Sequence, residues 1–127
     1  MSESKCGCSC GCNNVVNLIF SCSGGSDVGH VSDMVARKLN SDGIGKMYCL
    51  AGIGGRVSAI LKTTEAADGI LAIDGCPLDC AKKSLEEAGF RNFVHLRLSD
   101  LGIRKGEARK DDSAIEDICI KAREMLA

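Results

Sequence analysis

Cysteine is the residue type that points most clearly to chemistry in this sequence. The chain has nine cysteines among 127 residues, and an odd number cannot pair completely within one chain. Residues 1–14 contain no apolar segment of the kind that characterises a secretory signal, so we expect a cytoplasmic protein. In the cytoplasm, closely spaced cysteines more often indicate soft-metal binding or thiol chemistry than a disulfide framework.

Four short segments that we interpret as strands must position these cysteines. They are residues 15–20, 46–50, 69–74 and 92–98. Each is short enough for a buried strand, and helical repeats of apolar residues separate them. This alternation predicts an α/β fold of three layers, flavodoxin-like or Rossmann-like, with a four-stranded, mostly parallel sheet in the order 2-1-3-4 and helices on both faces. We expect residues 15–127 to form this single domain and residues 1–14 to form a flexible, cysteine-rich tail.

Proline and glycine predict where the middle helices begin. Cys76 and Pro77 are expected to open the helix after the third strand, because proline is favoured in the first helical turn. Leu78 would then lie on the buried face of that helix. Residues 51–55, which contain three glycines, are expected to form a loop after the second strand.

Capping residues predict where the first and last helices begin. Ser26 or Asp27 is expected to cap the helix after the first strand. Ser113 and Glu116 have the spacing of a capping box, which predicts the start of the last helix. Residues 99–112 are expected to form a surface loop before it.

Four of the cysteines fall where this fold would bring them together. Cys22 follows the first predicted strand by two residues, Cys49 lies at the end of the second, and Cys76 follows the third by two. In an open parallel sheet, ligands bind beyond the carboxyl ends of the strands, and these three strands are neighbours about 4.8 Å apart. Cys80 would lie one helical turn after Cys76 on the same face. The four thiolates form a candidate zinc site.

The sequence around these cysteines favours the thiolate, which is the form that binds metal or attacks an electrophile. Cys22 and Cys76 precede predicted helices, and the neighbouring glycines can present backbone N–H groups to an anion. The alternative is packing in the core, because free cysteine is often buried. We expect packing for Cys119, which lies on the apolar face of the last helix.

A motif around the third predicted strand resembles that of a known family. An Asp-Gly-Cys triplet at residues 74–76 occurs after Cys22 and Cys49 and before Cys80. With this order of cysteines the chain resembles the DGC-domain family over about residues 15–106. The resemblance implies zinc binding, an assignment that the family itself owes to its four cysteines. It implies no substrate and no reaction.

Asp74 and the two histidines also need an interpretation. At the end of a buried strand, Asp74 could accept N–H bonds from the turn that it enters, or it could orient a metal ligand. We favour the turn, since Asp-Gly is a common turn pair. His30 and His95 are each expected to be packed or at the surface rather than ligands.

The tail is a second candidate soft-metal site. Cys6, Cys8, Cys10 and Cys12 alternate with small residues, so several thiolates could surround one soft ion such as Cu(I) or Zn(II). The tail would enter the domain at the edge of the sheet opposite the first site. We therefore expect a separate metal site or a contact with a protein partner.

Composition excludes two classes of partner. The net charge of −1 and the 3% content of aromatic residues provide neither a basic surface nor stacking platforms for nucleic acid. No apolar run approaches the roughly 20 residues that span a bilayer, so we expect no membrane partner.

Three functions of the cysteines remain open from the residues alone. We favour binding of zinc or another soft metal, for sensing, storage or transfer rather than for structural stabilisation. A thiol-redox enzyme could instead use Cys76 with Cys80 or Cys22, and an iron–sulfur protein could use the same four thiolates. A phosphatase loop would need an arginine six residues after Cys22, where Val28 stands, and no G-x-G-x-x-G motif for a dinucleotide is present.

Overall fold

The computed structural model describes residues 15–127, and the predicted tail lies outside the described residues. The strands are β1 (Asn17–Ser21), β2 (Lys46–Met47), β3 (Gly69–Asp74) and β4 (Val94–Arg97). The helices are α1 (Asp27–Ser41), α2 (Leu50–Gly54), α3 (Ser58–Ala66), α4 (Cys80–Glu87) and α5 (Asp112–Leu126), with a 3₁₀ turn at Leu98–Leu101. No helix within these residues combines the length and the apolar character needed to cross a membrane.

The strands pair in parallel in the order β2-β1-β3-β4, which confirms the predicted α/β fold and strand order. β1 and β3 form the centre, with Asn17 opposite Gly69 and Ser21 opposite Ile73. Parallel strands need a crossover between them, and helices provide each one. All four carboxyl ends therefore lie at one edge of the sheet. We call this the carboxyl edge, meaning the last residues of the strands and the loops that follow: Ser21, Met47, Asp74 and Arg97.

Apolar side chains cover both faces of the sheet. On one face, strand residues including Ile19, Leu71 and Ile73 pack with α1 and α5. On the other face, residues including Leu18 and Phe20 pack with α2 and α4. Because successive strand residues point to opposite faces, a strand covered on both sides must be apolar throughout. The three predicted layers are confirmed, with an apolar cluster on each face of the sheet.

Three strands are shorter than predicted: β1, β2 and β4, of which β4 covers Val94–Arg97 rather than residues 92–98. β1 begins at Asn17 because Val15 and Val16, although apolar, are exposed before the sheet starts. β2 contains only Lys46 and Met47. The N–H of the next residue, Tyr48, still donates to the carbonyl oxygen of Ile19 at 2.8 Å, so the chain follows β1 up to Tyr48, the residue before Cys49.

Residues 50–54 form α2, and the prediction of a loop there is wrong. Cys49 is the N-cap, and its Sγ accepts the N–H of Gly52 at 3.3 Å. At the other end, the Arg56 guanidinium donates to the carbonyl oxygens of Ile53, Gly54 and Glu87. These side-chain caps stabilise a glycine-rich helix that propensity alone disfavours.

α4 begins at Cys80, and the prediction that it opens at Cys76 is wrong. Residues 76–79 form a turn, which is closed by a hydrogen bond from the N–H of Asp79 to the carbonyl oxygen of Cys76 at 3.2 Å. Because the turn interrupts the helical spacing, Leu78 is 63% exposed rather than on a buried face. The two cysteines are therefore not one helical turn apart.

Ser26 caps α1 as predicted, since its hydroxyl accepts an N–H of the first helical turn. The predicted capping box of Ser113 and Glu116 is wrong. α5 is capped by Asp111, whose carboxylate accepts the N–H of Ala114 at 3.3 Å. The last helix thus begins at the residue before Ser113.

Candidate functional site

Cys22 lies where β1 leaves the sheet. Its N–H donates to the carbonyl oxygen of Ile73 in β3 at 2.9 Å, which continues the parallel pairing by one residue. Its Sγ accepts the N–H of Gly75 at 3.1 Å and lies 3.5 Å from the hydroxyl oxygen of Ser32. The thiol that follows β1 therefore contacts the Asp-Gly-Cys turn that follows β3.

Burial raises the pKa of the Cys22 thiol above its ordinary value, contrary to the predicted stabilised thiolate. The hydrogen bonds to Ser32 and Gly75 oppose this rise, whereas nearby negative charge on Asp74 and Cys76 adds to it. The sequence prediction considered the helix N-terminus and the neighbouring glycines but not burial, which is the largest cause of the raised pKa. Cys22 is therefore protonated at neutral pH and must lose its proton to bind a metal ion.

Gly75 allows the Asp-Gly-Cys turn to lie against α1. A Cβ atom built on Gly75 would be 2.7 Å from both the carbonyl carbon and the carbonyl oxygen of Val28, far closer than van der Waals contact. Only glycine fits this approach of two backbones. The close packing also directs the Gly75 N–H at the Cys22 sulfur.

Cys49 and Cys80 occupy the N-terminal ends of two helices on the same face of the sheet. Cys49 is the N-cap of α2 and Cys80 is the first residue of α4. The two helices pack against each other, and both thiols are exposed to solvent. These cysteines can therefore meet a ligand that arrives from solution at the carboxyl edge.

Asp74 caps α4 from the end of β3. Its carboxylate, which is 1% exposed, accepts the N–H groups of Ala81 at 2.7 Å and Lys82 at 3.0 Å. Asp74 does accept backbone N–H groups, but the favoured prediction that they come from the turn is wrong, because the donors belong to α4. This cap explains why α4 starts at Cys80 rather than at Cys76. The first N–H groups of a helix have no acceptor within the helix, and the Asp74 carboxylate provides one at this position.

His95 donates to the same carboxylate. Its Nε2 lies 2.8 Å from Asp74 Oδ2, and because an ionised carboxylate can only accept, Nε2 carries the hydrogen. The prediction that His95 is merely packed or at the surface missed this bond. His30 is exposed, as that prediction allowed.

Arg97 and Asp79 form a second pair that the sequence analysis missed. Arg97 Nε lies 2.8 Å from Asp79 Oδ1, and Nη2 lies 2.5 Å from Oδ2, which is a two-pronged ion pair. The guanidinium lowers the pKa of the Asp79 carboxyl. One signal was available: His95 and Arg97 are two apart in β4, so they share one face of the strand.

One group of potential metal ligands is compact. Within residues 15–127, the ligand atoms of Asp74, Asp79 and His95 lie within 4.8 Å of one another. Their hydrogen bonds already engage both carboxylates, and a cation would face the positive charge of Arg97. We therefore interpret this group as a hydrogen-bond network rather than a cation site.

The four predicted zinc ligands share the carboxyl edge but form no such compact group in the part of the chain that the structure describes. Cys22 and Cys76 lie near enough for charge on Cys76 to raise the pKa of Cys22. As a donor set, four sulfurs with two exposed members suit zinc. Their sharing of one ion stays a prediction. The second candidate set, Cys6, Cys8, Cys10 and Cys12, lies outside the described residues.

Cys119 is fully buried between α5 and α1, which confirms its predicted place in the core. Burial raises the pKa of its thiol to about 11. The reactivity of this buried thiol is therefore a reference against which the reactivity of the cysteines at the carboxyl edge can be compared.

The pH dependence of alkylation should follow these environments. In zinc-free, reduced protein we expect Cys22 to gain reactivity only above pH 9.0, the ordinary thiol pKa, because burial favours the protonated form. Cys119 should lag until about pH 11. Brief iodoacetamide treatment at a series of pH values, followed by mass mapping, measures both. A Cys22 midpoint below pH 9.0 would contradict the expectation.

Comparison with known proteins places this geometry in a family. The DGC domain family model matches residues 18–122. The chain is 36% identical over 88 residues to the anaerobic and virulence modulator AnvM of Pseudomonas aeruginosa strain PAO1. The aligned region covers 69% of this chain and 67% of AnvM. No solved structure gave a significant match. The resemblance inferred from the Asp-Gly-Cys triplet and its partner cysteines is confirmed, and the chain belongs to the DGC-domain family.

Proposed function

We propose that this protein binds zinc, or a related soft metal ion, through Cys22, Cys49, Cys76 and Cys80. The observation that carries the proposal is the hydrogen bond from Gly75 to the Cys22 sulfur, which joins the thiol after β1 to the cysteine turn after β3. Thiolate sulfur is a preferred ligand of zinc, and four such ligands complete a tetrahedral site.

The proposed binding is reversible rather than structural. Two apolar clusters already cover both faces of the sheet, so the fold does not need an ion to supply its core. Cys49 and Cys80 are exposed, and the sulfurs must approach one another to enclose an ion. A site that closes on its ligand suits sensing or transfer of a metal in the cytoplasm better than it suits a permanent cross-link.

The relative's name supports a regulatory role. The relative AnvM of P. aeruginosa is named an anaerobic and virulence modulator. We extend the idea of a modulator, and no more than that, to this chain. A protein that changes state when its thiols bind a metal is one physical form that such a modulator can take.

A thiol-redox function is the second candidate, and the contact of the Cys22 sulfur with the N–H of Gly75, the residue before Cys76, favours it. The two sulfurs belong to adjacent strand ends joined through Gly75. Mild oxidation by a disulfide would then transfer two electrons and leave a Cys22–Cys76 disulfide, with release of the oxidant's two thiols.

Zinc titration of the full-length chain tests the proposal. Serine at Cys6, Cys8, Cys10 and Cys12 removes the tail ligands, so we expect one zinc ion per chain at the carboxyl edge. Serine at any of the four proposed ligands should weaken zinc binding by about 100-fold or more, because a thiolate ligand is lost. Elemental analysis of anaerobically prepared protein and competition with a chromophoric chelator measure stoichiometry and affinity.

Cys119→Ala is the matched control, since it removes a cysteine that is buried in the core between α5 and α1. It should leave the zinc affinity unchanged. Additional zinc bound by the chain with its natural tail would indicate the second site. A colourless protein would exclude an iron–sulfur cluster. Absence of stoichiometric zinc, together with a Cys22–Cys76 or Cys76–Cys80 disulfide after oxidation, would favour the thiol-redox function instead.

A further inference from the structure

The turn at residues 76–79 has little apolar contact to hold it in place. Leu78 is 63% exposed, and Pro77 is exposed as well. Asp79 closes the turn with a left-handed backbone, φ 56°, which is uncommon for a residue other than glycine. A conformation of this kind persists only when surrounding contacts determine it, so polar contacts must fix this turn.

Two side chains of β4 supply those contacts, one at each end of the turn. Before the turn, His95 donates to Asp74, whose carboxylate also caps α4. At the end of the turn, Arg97 binds both carboxylate oxygens of Asp79, which is 7% exposed. A two-pronged pair of this kind restricts the position and orientation of the carboxylate, because each of its oxygens must accept from a different guanidinium nitrogen.

The two side chains are not part of the apolar core. Along β4 and its end, Leu96 and Leu98 enter the core cluster, whereas His95 and Arg97 point to the other side of the strand. Neither His95 nor Arg97 belongs to the apolar clusters that cover the sheet. Their shared contacts are the two carboxylates that border the cysteine turn.

We propose that His95 and Arg97 are positioning residues, which hold the turn at residues 76–79 so that Cys76 and Cys80 are presented in a fixed arrangement for ligand binding. This inference rests on the proposed metal-binding function. Both residues act through the carboxylates and do not themselves bind the ion. Partners that orient metal ligands typically contribute 10–100-fold to affinity, roughly the range expected here.

The test compares substitutions in the full-length chain that carries serine at the four tail positions. Arg97→Lys keeps the charge but loses the two-pronged geometry, and His95→Leu loses the donor. His95→Gln keeps an amide donor near the Nε2 position and should rescue the turn. Arg123→Lys is the matched control. Arg123 lies in the last turn of α5 and forms its ion pairs with Glu116 and Asp42, not with residues of the cysteine turn.

Two readouts are measured. In zinc-free protein, we expect Arg97→Lys and His95→Leu to speed amide hydrogen exchange of residues 76–82 about tenfold, since local opening limits it, and to speed alkylation of Cys76. With zinc, we expect chelator competition to give about tenfold weaker affinity for both variants. His95→Gln and Arg123→Lys should keep the exchange and the affinity of the parent chain.

Unchanged exchange in both disruptive variants would overturn the inference, and so would an equal effect of Arg123→Lys. Faster exchange with unchanged zinc affinity would also overturn it, because the turn would then be held for stability alone. If the parent chain binds no zinc, the proposed function fails first. That result is distinguishable because it appears before any substitution in β4 is made.

Discussion

Replacing Gly75 with alanine is expected to destabilise the folded protein by about 3 kcal/mol, the upper range for an overpacked site. The added Cβ would meet the backbone carbonyl of Val28 at 2.7 Å, and backbone atoms within α1 cannot move aside as a flexible side chain can. Relief would require the cysteine turn to separate from α1. Denaturant unfolding of the zinc-free, reduced protein measures the change in the free energy of unfolding.

Gly24→Ala is the control for this experiment. Gly24 also precedes α1 at the carboxyl edge, but a Cβ on it would contact no atom within 4 Å. We expect a change within about 0.5 kcal/mol, as for other surface substitutions. If Gly75→Ala were as mild as the control, the close approach between the turn and α1 would be wrong.

Replacing Asp74 with alanine is expected to cost about 3 kcal/mol, because it removes a buried helix cap and leaves several donors without an acceptor. The N–H groups of Ala81 and Lys82 and the ring of His95 all donate to this carboxylate. Asp74→Asn should cost about half as much, since one oxygen remains but the amide nitrogen faces a donor. The measurement is again the free energy of unfolding.

Asp33→Ala provides the comparison, because Asp33 forms an ion pair with Arg37 along the outside of α1. Surface ion pairs of this kind contribute about 0.5 kcal/mol or less. Amide exchange in the first turn of α4 should rise in Asp74→Ala and stay unchanged in Asp33→Ala. Equal stability losses in the two variants would show that Asp74 does not cap α4.

Much of the fold could be predicted because it depends on local periodicity. The apolar run at Gly69–Asp74 matches β3 residue for residue, and Ser26 caps α1 as its position before the helical repeat indicates. The order β2-β1-β3-β4 was predicted because the alternating pattern resembles that of flavodoxin-like folds, in which the first strand is central. The strand and the cap need only the spacing of apolar and capping residues along the chain.

The element ends were harder to predict, because contacts between distant residues decide them. α4 starts at Cys80 because Asp74 accepts N–H groups seven and eight residues later. α2 exists because the Cys49 sulfur serves as an N-cap, a role that sequence rules give to oxygen-bearing side chains. Helix propensities of the individual residues predict neither of these two hydrogen-bonding contacts.

The sequence by itself determined the α/β sheet, the family and the placement of Cys22, Cys49 and Cys76 after neighbouring strands, because the alternation of strands and helices follows from periodicity. Only the tertiary structure decided the environment of those thiols. Burial beside α1 raises the pKa of Cys22, and two residues of β4 hold the turn between Cys76 and Cys80. Burial and pairing are properties of neighbours in space, and the chain brings those neighbours together only when it folds.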